Sequence, residues 1–257
     1  MAWDTTTYLQ RLGLASKDLP PTLASLRLLQ HLHALAIPFE NLDIHYGPEI
    51  TLDIDRIFDK VMEGNRGGFC YELNGLFHEL LLKLGFTVHR ISARVYNVDT
   101  RQFGPEFDHL VNLVTLPEGR YLADVGFGGF AEYPLALQLG QPQADAYGTW
   151  QINPDPTGRL VLYAPLPEGI THKYSFTLQP REYTDFTGMC QYQQHNPHSH
   201  FRTRKLITRP LPHGRVTLTQ DMLTIRDKGE KKETPLLNEG AFFTALKDHF
   251  GISLAGH

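Results

Sequence analysis

Apolar positions change period twice along the chain. Leu23, Leu26, Leu29 and Leu32 recur at three-residue steps until Pro38 interrupts them, and Pro20-Pro21-Thr22 supplies a helix start. A stronger helical face follows in Leu73, Leu76, Phe77, Leu80, Leu81 and Leu84, with Gly85 placed to end it, so this helix is predicted to begin at or beside Cys70. From residue 87 the period becomes two. Val88 to Tyr96, His109 to Thr115 and Tyr121 to Val125 read as strands separated by Gly104-Pro105 and Pro117-Glu118-Gly119. Further short strands are predicted at Gly158 to Tyr163, Tyr174 to Leu178, Leu206 to Arg209, Arg215 to Thr219 and Met222 to Arg226, and a closing helix at Asn238 to Phe250. The Pro-rich stretch from Asn153 to Pro167 reads as turns.

Helices first and strands afterwards predict an α+β architecture rather than alternating βαβ units. A chain of 257 residues can bury a large core, and the expected lobes are 1–86, 87–190 and 191–257. The sequence shows no internal repeat, long linker or low-complexity tract.

Composition narrows the partners. A formal net charge of -4 with a pI near 6.3 provides no basic field to hold a nucleic-acid backbone. The local run Arg202, Arg204, Lys205 and Arg209 reads as a solvated strand face or as a contact for a small anion. No window approaches the roughly 18 consecutive apolar residues of a membrane span. The start Met1-Ala2-Trp3-Asp4 lacks the pattern of a secretory signal, so a soluble, cytoplasmic protein is expected. The two cysteines, Cys70 and Cys190, are then expected to be reduced.

Arg66-Gly67-Gly68-Phe69-Cys70 puts two glycines before a cysteine that opens a helix. A helix amino terminus carries partial positive charge and free N–H groups, which favour a thiolate and can receive an oxyanion beside it. The alternative is a small buried apolar residue behind a turn. A nucleophilic cysteine needs a base, and the base an orienting group. His109, sharing a strand face with Val111 and Leu113, and Asp124, the odd polar residue of an apolar strand, are the candidates. If their strands pair across the Pro117-Glu118-Gly119 hairpin, the two would be cross-strand neighbours about 5 Å apart. A structural histidine and a turn aspartate are the competing readings. Cys190, without the glycine context, reads as buried and inert, and His195, His198 and His200 as loop residues rather than a metal cluster, so no metal is expected.

The segments Ile37 to Leu42 (IPFENL), Arg66 to Gly75 (RGGFCYELNG) and Ala123 to Gly129 (ADVGFGG), with Asp108-His109-Leu110 between the last two, resemble the arylamine N-acetyltransferase family in order and spacing. Asn196 to Phe201 resembles a further family segment, and the likeness covers most of residues 8 to 210. The resemblance implies a helical N-terminal lobe, an antiparallel β-barrel middle lobe, an α/β C-terminal lobe and a cysteine-protease-like catalytic core. It implies acetyl-CoA as cosubstrate and an aromatic amine, hydrazine or arylhydroxylamine as acceptor. By resemblance Cys70 is the nucleophile, His109 the base and acid, and Asp124 the orienting group. Phe39, Val95, Phe127 and Gly128 would line the acceptor pocket and Phe201 would contact the donor; read singly, Phe39 and Phe127 serve equally as core aromatics. Where family members often carry threonine before the histidine, this chain has Asp108. The same triad also suits an amide synthase acting on a polyketide acyl chain, a thiol hydrolase or transglutaminase-like enzyme, or a scaffold that binds CoA without turnover.

Overall fold

The computed structural model describes residues 3–15, 18–166 and 169–254. The first lobe is helical: α1 (Thr5–Arg11), α2 (Leu23–Ala36), the short α3 (Asp43–Tyr46), α4 (Ile54–Phe58) running into a π-helical turn at Asp59–Glu63, and α5 (Cys70–Lys83). Thr22 caps α2, its hydroxyl accepting from the Ser25 N–H at 3.3 Å, and the helix ends at Ala36 because Ile37, which precedes Pro38, is excluded from helical backbone. Helix α5 stops where Gly85 takes a φ of +84°, open to glycine at no steric cost. It is buried on nearly every side rather than along one stripe: Leu73, Leu76, Phe77, Leu80 and Leu81 are inaccessible, and so are Tyr71, Glu72 and Asn74 or almost so. It is therefore the central strut of the largest core cluster.

The middle lobe is a nine-stranded antiparallel sheet. It comprises β2 (Thr87–Asn97), β3 (Gln102–Phe103), β4 (His109–Leu116), β5 (Gly119–Ala123), β6 (Leu135–Ala136), β7 (Gln143–Asp145), β8 (Gly148–Pro154), β9 (Leu160–Leu166) and β10 (Gly169–Arg181). The order is β6-β5-β4-β2-β10-β9-β8-β7, with β3 paired to β2, and a bridge between Leu139 and Ile152 brings the two ends together into a nearly closed barrel. Alternation along the strands separates two cores. Ile91, Ala93, Val111 and Leu113 join the cluster inside the barrel, whereas Val88, Leu110 and Val114 face outward into the helical cluster. Strand β4 is thus covered on both faces, and α5 packs across it.

Two short helices, α6 (Thr187–His195) and α7 (His200–Thr203), lead to a second, five-stranded antiparallel sheet. Its order is β1 (Phe39–Glu40), β11 (Leu206–Leu211), β12 (Gly214–Thr219), β13 (Met222–Asp227) and β14 (Glu230–Pro235), with α8 (Glu239–Phe250) packed on β12. Because β1 comes from the first lobe and pairs with β11, the C-terminal sheet is stitched to the segment carrying Phe39. No described helix is long and apolar enough to cross a membrane.

Several sequence expectations are corrected. Strand β5 ends at Ala123, so Asp124 and Val125 lie beyond it rather than within a strand reaching Val125. The stretch from Asn153 to Pro167 is mostly strand: β8 continues through Pro154 and β9 starts at Leu160, leaving a turn held by Asp155, whose carboxylate accepts from the N–H groups of Thr157 and Arg159 at 2.8 and 3.0 Å. Pro167 lies outside the described residues. Position 190, the expected lobe boundary, falls inside α6, which carries the chain continuously past it.

Candidate active site

The loop before Cys70 is pinned from beneath by buried charges. Arg66 donates to both Glu40 oxygens, Nε to Oε1 at 2.8 Å and Nη2 to Oε2 at 3.0 Å, and reaches Asp43 at 2.7 Å. Lys60 pairs with Asp43 and with Glu72, each at 2.8 Å. Glu72 in turn accepts from the Phe69 N–H at 3.1 Å, holding the first turn of α5 from outside. The paired glycines make room for this arrangement: a Cβ on Gly67 would overlap the Pro38 carbonyl, and one on Gly68 would stand 2.8 Å from Glu72 Cβ. Such a network contributes little net stability against its desolvation cost, but breaking one partner strands the rest, which fixes the position of Cys70.

His109 opens β4 on the barrel-facing side, with its ring packed between Phe127 and Tyr174 at centroid distances of 5.2 and 5.3 Å. Its Nε2 meets Asp124 Oδ2 at 2.7 Å, both side chains being buried. The two are not cross-strand partners as expected. In the ladder His109 pairs with Ala93 on β2, while β5 pairs Ala123 with Asn112 and then ends. What returns Asp124 to the histidine is the departure of the chain from the sheet. Asn74 donates to Asp124 Oδ1 at 2.8 Å and accepts from the Val125 N–H at 2.9 Å; Gly126 N–H donates to the same Oδ1 at 2.9 Å, and Gln30 accepts from the Asp124 N–H at 3.1 Å. An ionised carboxylate only accepts, so Nε2 carries the hydrogen and the lone pair of the neutral imidazole lies on Nδ1.

Cys70 is buried and lines a cavity of about 460 Å³ together with His109. Phe39, Val95, Phe127, Gly128 and Phe201 line the same cavity, so the structure gathers every residue proposed for the site except Asp124, which stands behind His109. Phe39 and Phe201 lie 6.0 Å apart, and Gly126 passes so near α5 that a Cβ on it would stand 2.7 Å from the Cys70 Cα. Burial pushes the Cys70 thiol well above its ordinary range; a hydrogen bond from the Leu110 backbone acts against this, and the carboxylates of Asp108 and Asp124 add to it. Desolvation of the sulfur is the larger effect, and an ionised Cys70 requires an imidazole that takes the proton and stays beside it.

Asp108 also lines the cavity. Its Oδ1 accepts from Gln193 Nε2 at 2.9 Å and its Oδ2 from the Val95 N–H at 3.3 Å, and burial raises its pKa above the usual aspartate value. Gln193 passes the contact on, accepting from the Ser199 hydroxyl at 2.5 Å, and Ser199 accepts from the Phe201 N–H at 3.2 Å. Of the loop histidines, His200 lines the cavity, whereas His195 is exposed near Glu49 at 3.7 Å. No group of three or more metal-ligating side chains occurs among the described residues.

Sequence reasoning missed Asn74 and Gln30. Asn74 stands four residues after Cys70 on the same helix face, a spacing that marks it as a neighbour of the thiol's surroundings. Gln30 carries no such signal, because its contact with Asp124 spans 94 residues of sequence.

Comparisons with known proteins agree with one another. A protein-family profile described as N-acetyltransferase matches residues 22–257. The arylamine N-acetyltransferase 2 of Mus musculus is 33% identical over 278 residues, covering 98% of this chain and 94% of that protein. The arylamine N-acetyltransferase / N-hydroxyarylamine O-acetyltransferase of Salmonella typhimurium is 32% identical, covering 98% of this chain and 88% of that protein. Among solved structures, the Mycobacterium marinum arylamine N-acetyltransferase in complex with CoA matches with a TM-score of 0.88 at 34% identity, covering 97% of this chain and 93% of that one.

Proposed function

The chain belongs to the arylamine N-acetyltransferase family, and from that premise we propose that it moves an acetyl group from acetyl-CoA through an acetyl-Cys70 intermediate to an aromatic amine, hydrazine or arylhydroxylamine. One observation carries the reading: an imidazole bonded through Nε2 to a buried carboxylate at 2.7 Å shares a cavity with a cysteine at a helix start. In the first half-reaction the Cys70 proton passes to His109 Nδ1 as the sulfur attacks the thioester carbonyl. The tetrahedral oxyanion is held by N–H groups of the first turn of α5, the N–H of Phe69 just before it being already engaged by Glu72. The carbonyl carbon then releases the CoA sulfur, which leaves with the proton from His109. In the second half the acceptor nitrogen, or the hydroxyl oxygen of an arylhydroxylamine, attacks the acetyl carbon, His109 takes its proton, and the Cys70 sulfur departs. Asp124 holds the imidazole tautomer and stabilises its charged form during both transfers.

The use of acetyl-CoA is supported by the family and by a relative solved with CoA. The cavity, walled by Phe39, Phe127 and Phe201, has the flat apolar faces that suit an aromatic acceptor. Incubation with acetyl-CoA in the absence of acceptor, followed by intact-mass measurement, should show one added acetyl group that is lost when an arylamine is supplied. No adduct at any pH between 6 and 9 (roughly the range in which a paired thiol and imidazole titrate) would overturn the reading.

A further inference from the structure

Arg215 on β12 is a cation in the reaction cavity with no carboxylate paired to it among the described residues. It lines the cavity with Cys70 and His109, and also a smaller one, of about 40 Å³, that reaches Asp124. Its one side-chain hydrogen bond among the described residues runs from Nη1 to Thr208 Oγ1 at 3.1 Å. The carboxylates around the two cavities are engaged elsewhere. Asp124 is bonded to His109 and Asn74, Asp108 to Gln193 and the Val95 N–H, and Glu132 to His31 at 3.1 Å. Burial lowers the Arg215 pKa, and the Tyr147 phenol acts against this. A partly desolvated guanidinium left this way is costly unless an anion arrives to pair with it.

The guanidinium is also aimed. The single hydroxyl proton of Thr208 goes to the Val216 carbonyl at 3.1 Å, so its oxygen accepts from both Arg215 Nη1 and the Thr217 hydroxyl, the latter at 2.8 Å. That fixes one edge of the guanidinium plane and leaves its other N–H groups to a ligand. The same cavity wall carries Phe39 and Phe127, which accept an aromatic ring.

Resting on the acetyltransferase reading above, we propose that Arg215 selects the acceptor: the cavity prefers aromatic amines that bear a carboxylate on the far side of the ring, which the guanidinium binds through paired N–H donors. The alternative source of negative charge is the phosphate chain of CoA. Arg215 borders the small cavity, of about 40 Å³, that reaches Asp124 at the triad end of the site, which is too little room for a multiply charged chain and would set it against a single cation.

The test uses 4-aminobenzoate and its neutral isostere 4-aminobenzamide, with acetyl-CoA as donor. Wild-type enzyme should favour the acid by at least about tenfold in kcat/KM, and Arg215→Met should lower that acid-to-amide ratio about 100-fold, the scale for removing one partner of a desolvated charge pair. Arg215→Lys, which keeps the charge and loses the planar fork, should restore part of the ratio; it also carries the test if the Met variant fails to fold. A ratio unchanged by either variant overturns the assignment, most plainly if the KM for acetyl-CoA rises and acetylation of Cys70 slows, because the cation then serves the donor's phosphates. If the wild type transfers no acetyl group, calorimetric titration with 4-aminobenzoate separates the two claims. Binding that weakens about 100-fold in Arg215→Met preserves the anion site while the acetyltransferase reading fails, and absence of binding to the wild type sinks the site itself.

Discussion

The start of α5 and the body of α6 each hold a cysteine, and burial hardly distinguishes them: Cys70 is 3% exposed and Cys190 1%. In both, desolvation is the leading influence and pushes the thiol up, to about 12 for Cys190. Their neighbours differ. Cys190 faces the Ile50 carbonyl at 3.9 Å and the Gln194 amide at 3.4 Å, and no hydrogen bond joins it to an imidazole among the described residues. Cys70 opens onto a cavity that it shares with His109, an imidazole braced by Asp124. Under the proposed mechanism, nucleophilic character would come from a positioned proton acceptor and an accessible cavity, which neither burial nor a helix alone supplies.

The largest effect that could break this contrast is on the sulfurs themselves. Cys70→Ser should abolish the acetyl adduct and reduce turnover on the order of 10⁴-fold or more, whereas Cys190→Ala should keep the adduct. Steady-state rates and intact mass decide it. An adduct that survives Cys70→Ser and disappears in Cys190→Ala would reverse the assignment.

Next in size is the brace. Asp124→Asn keeps the shape but can present an amide N–H to Nε2, reversing the tautomer, and should lower kcat about 10³- to 10⁴-fold. The rate of Cys70 alkylation at neutral pH should fall with it, because the imidazole can no longer accept the thiol proton at Nδ1. Alkylation at the wild-type rate would show that His109 and Asp124 do not activate this sulfur.

Asn74 sharpens the same contrast through position alone. Its amide joins Asp124, the Leu110 carbonyl at 2.7 Å and the Val125 N–H, and none of these faces the cavity. Asn74→Ala leaves the buried Leu110 carbonyl and Asp124 carboxylate and the part-buried Val125 N–H each short of a partner, and is expected to cost about 2–3 kcal/mol of stability in denaturant titration. The displaced aspartate should lower kcat about tenfold or more while the KM for acetyl-CoA changes little. Destabilisation without a change in kcat would assign Asn74 to the fold only.

How much of this was legible depends on how local the signal is. The boundaries of α2 and α5 were readable because Thr22, Pro38 and Gly85 act on their immediate neighbours. Cys70 and His109 were readable for the same reason, as the openings of a helix and a strand. The exact approach of Asp124 was not: strand alternation placed it across from His109, while its actual position depends on Asn74, Gln30 and Gly126 drawing the chain off the sheet. The charged network under Arg66 gathers Glu40, Asp43, Lys60 and Glu72 from separate elements, and only tertiary packing brings them together. Strand β14, exposed at every position, has no apolar alternation to announce it; its pairing with β13 alone defines it.

The smallest effect tests the acid that stands where relatives often have threonine. The Asp108 charge raises the Cys70 pKa, so Asp108→Asn should move the pH profile of Cys70 alkylation to lower pH. Its consequence for stability has a definite sign. The folded-state pKa of Asp108 lies above the ordinary value of 3.8, raised first by burial, so the folded protein holds this proton more tightly than the unfolded chain does. The associated stability is present at low pH and is lost as pH rises from near 3.8 through the raised folded value. Asp108→Asn removes that dependence, so its melting temperature should gain on the wild type as pH increases across this window and hold the gain above it. A difference in melting temperature that stays constant with pH would mean that the carboxylate's contacts with Gln193 and the Val95 N–H fully offset its burial. Asp108 would then influence the thiol by charge alone.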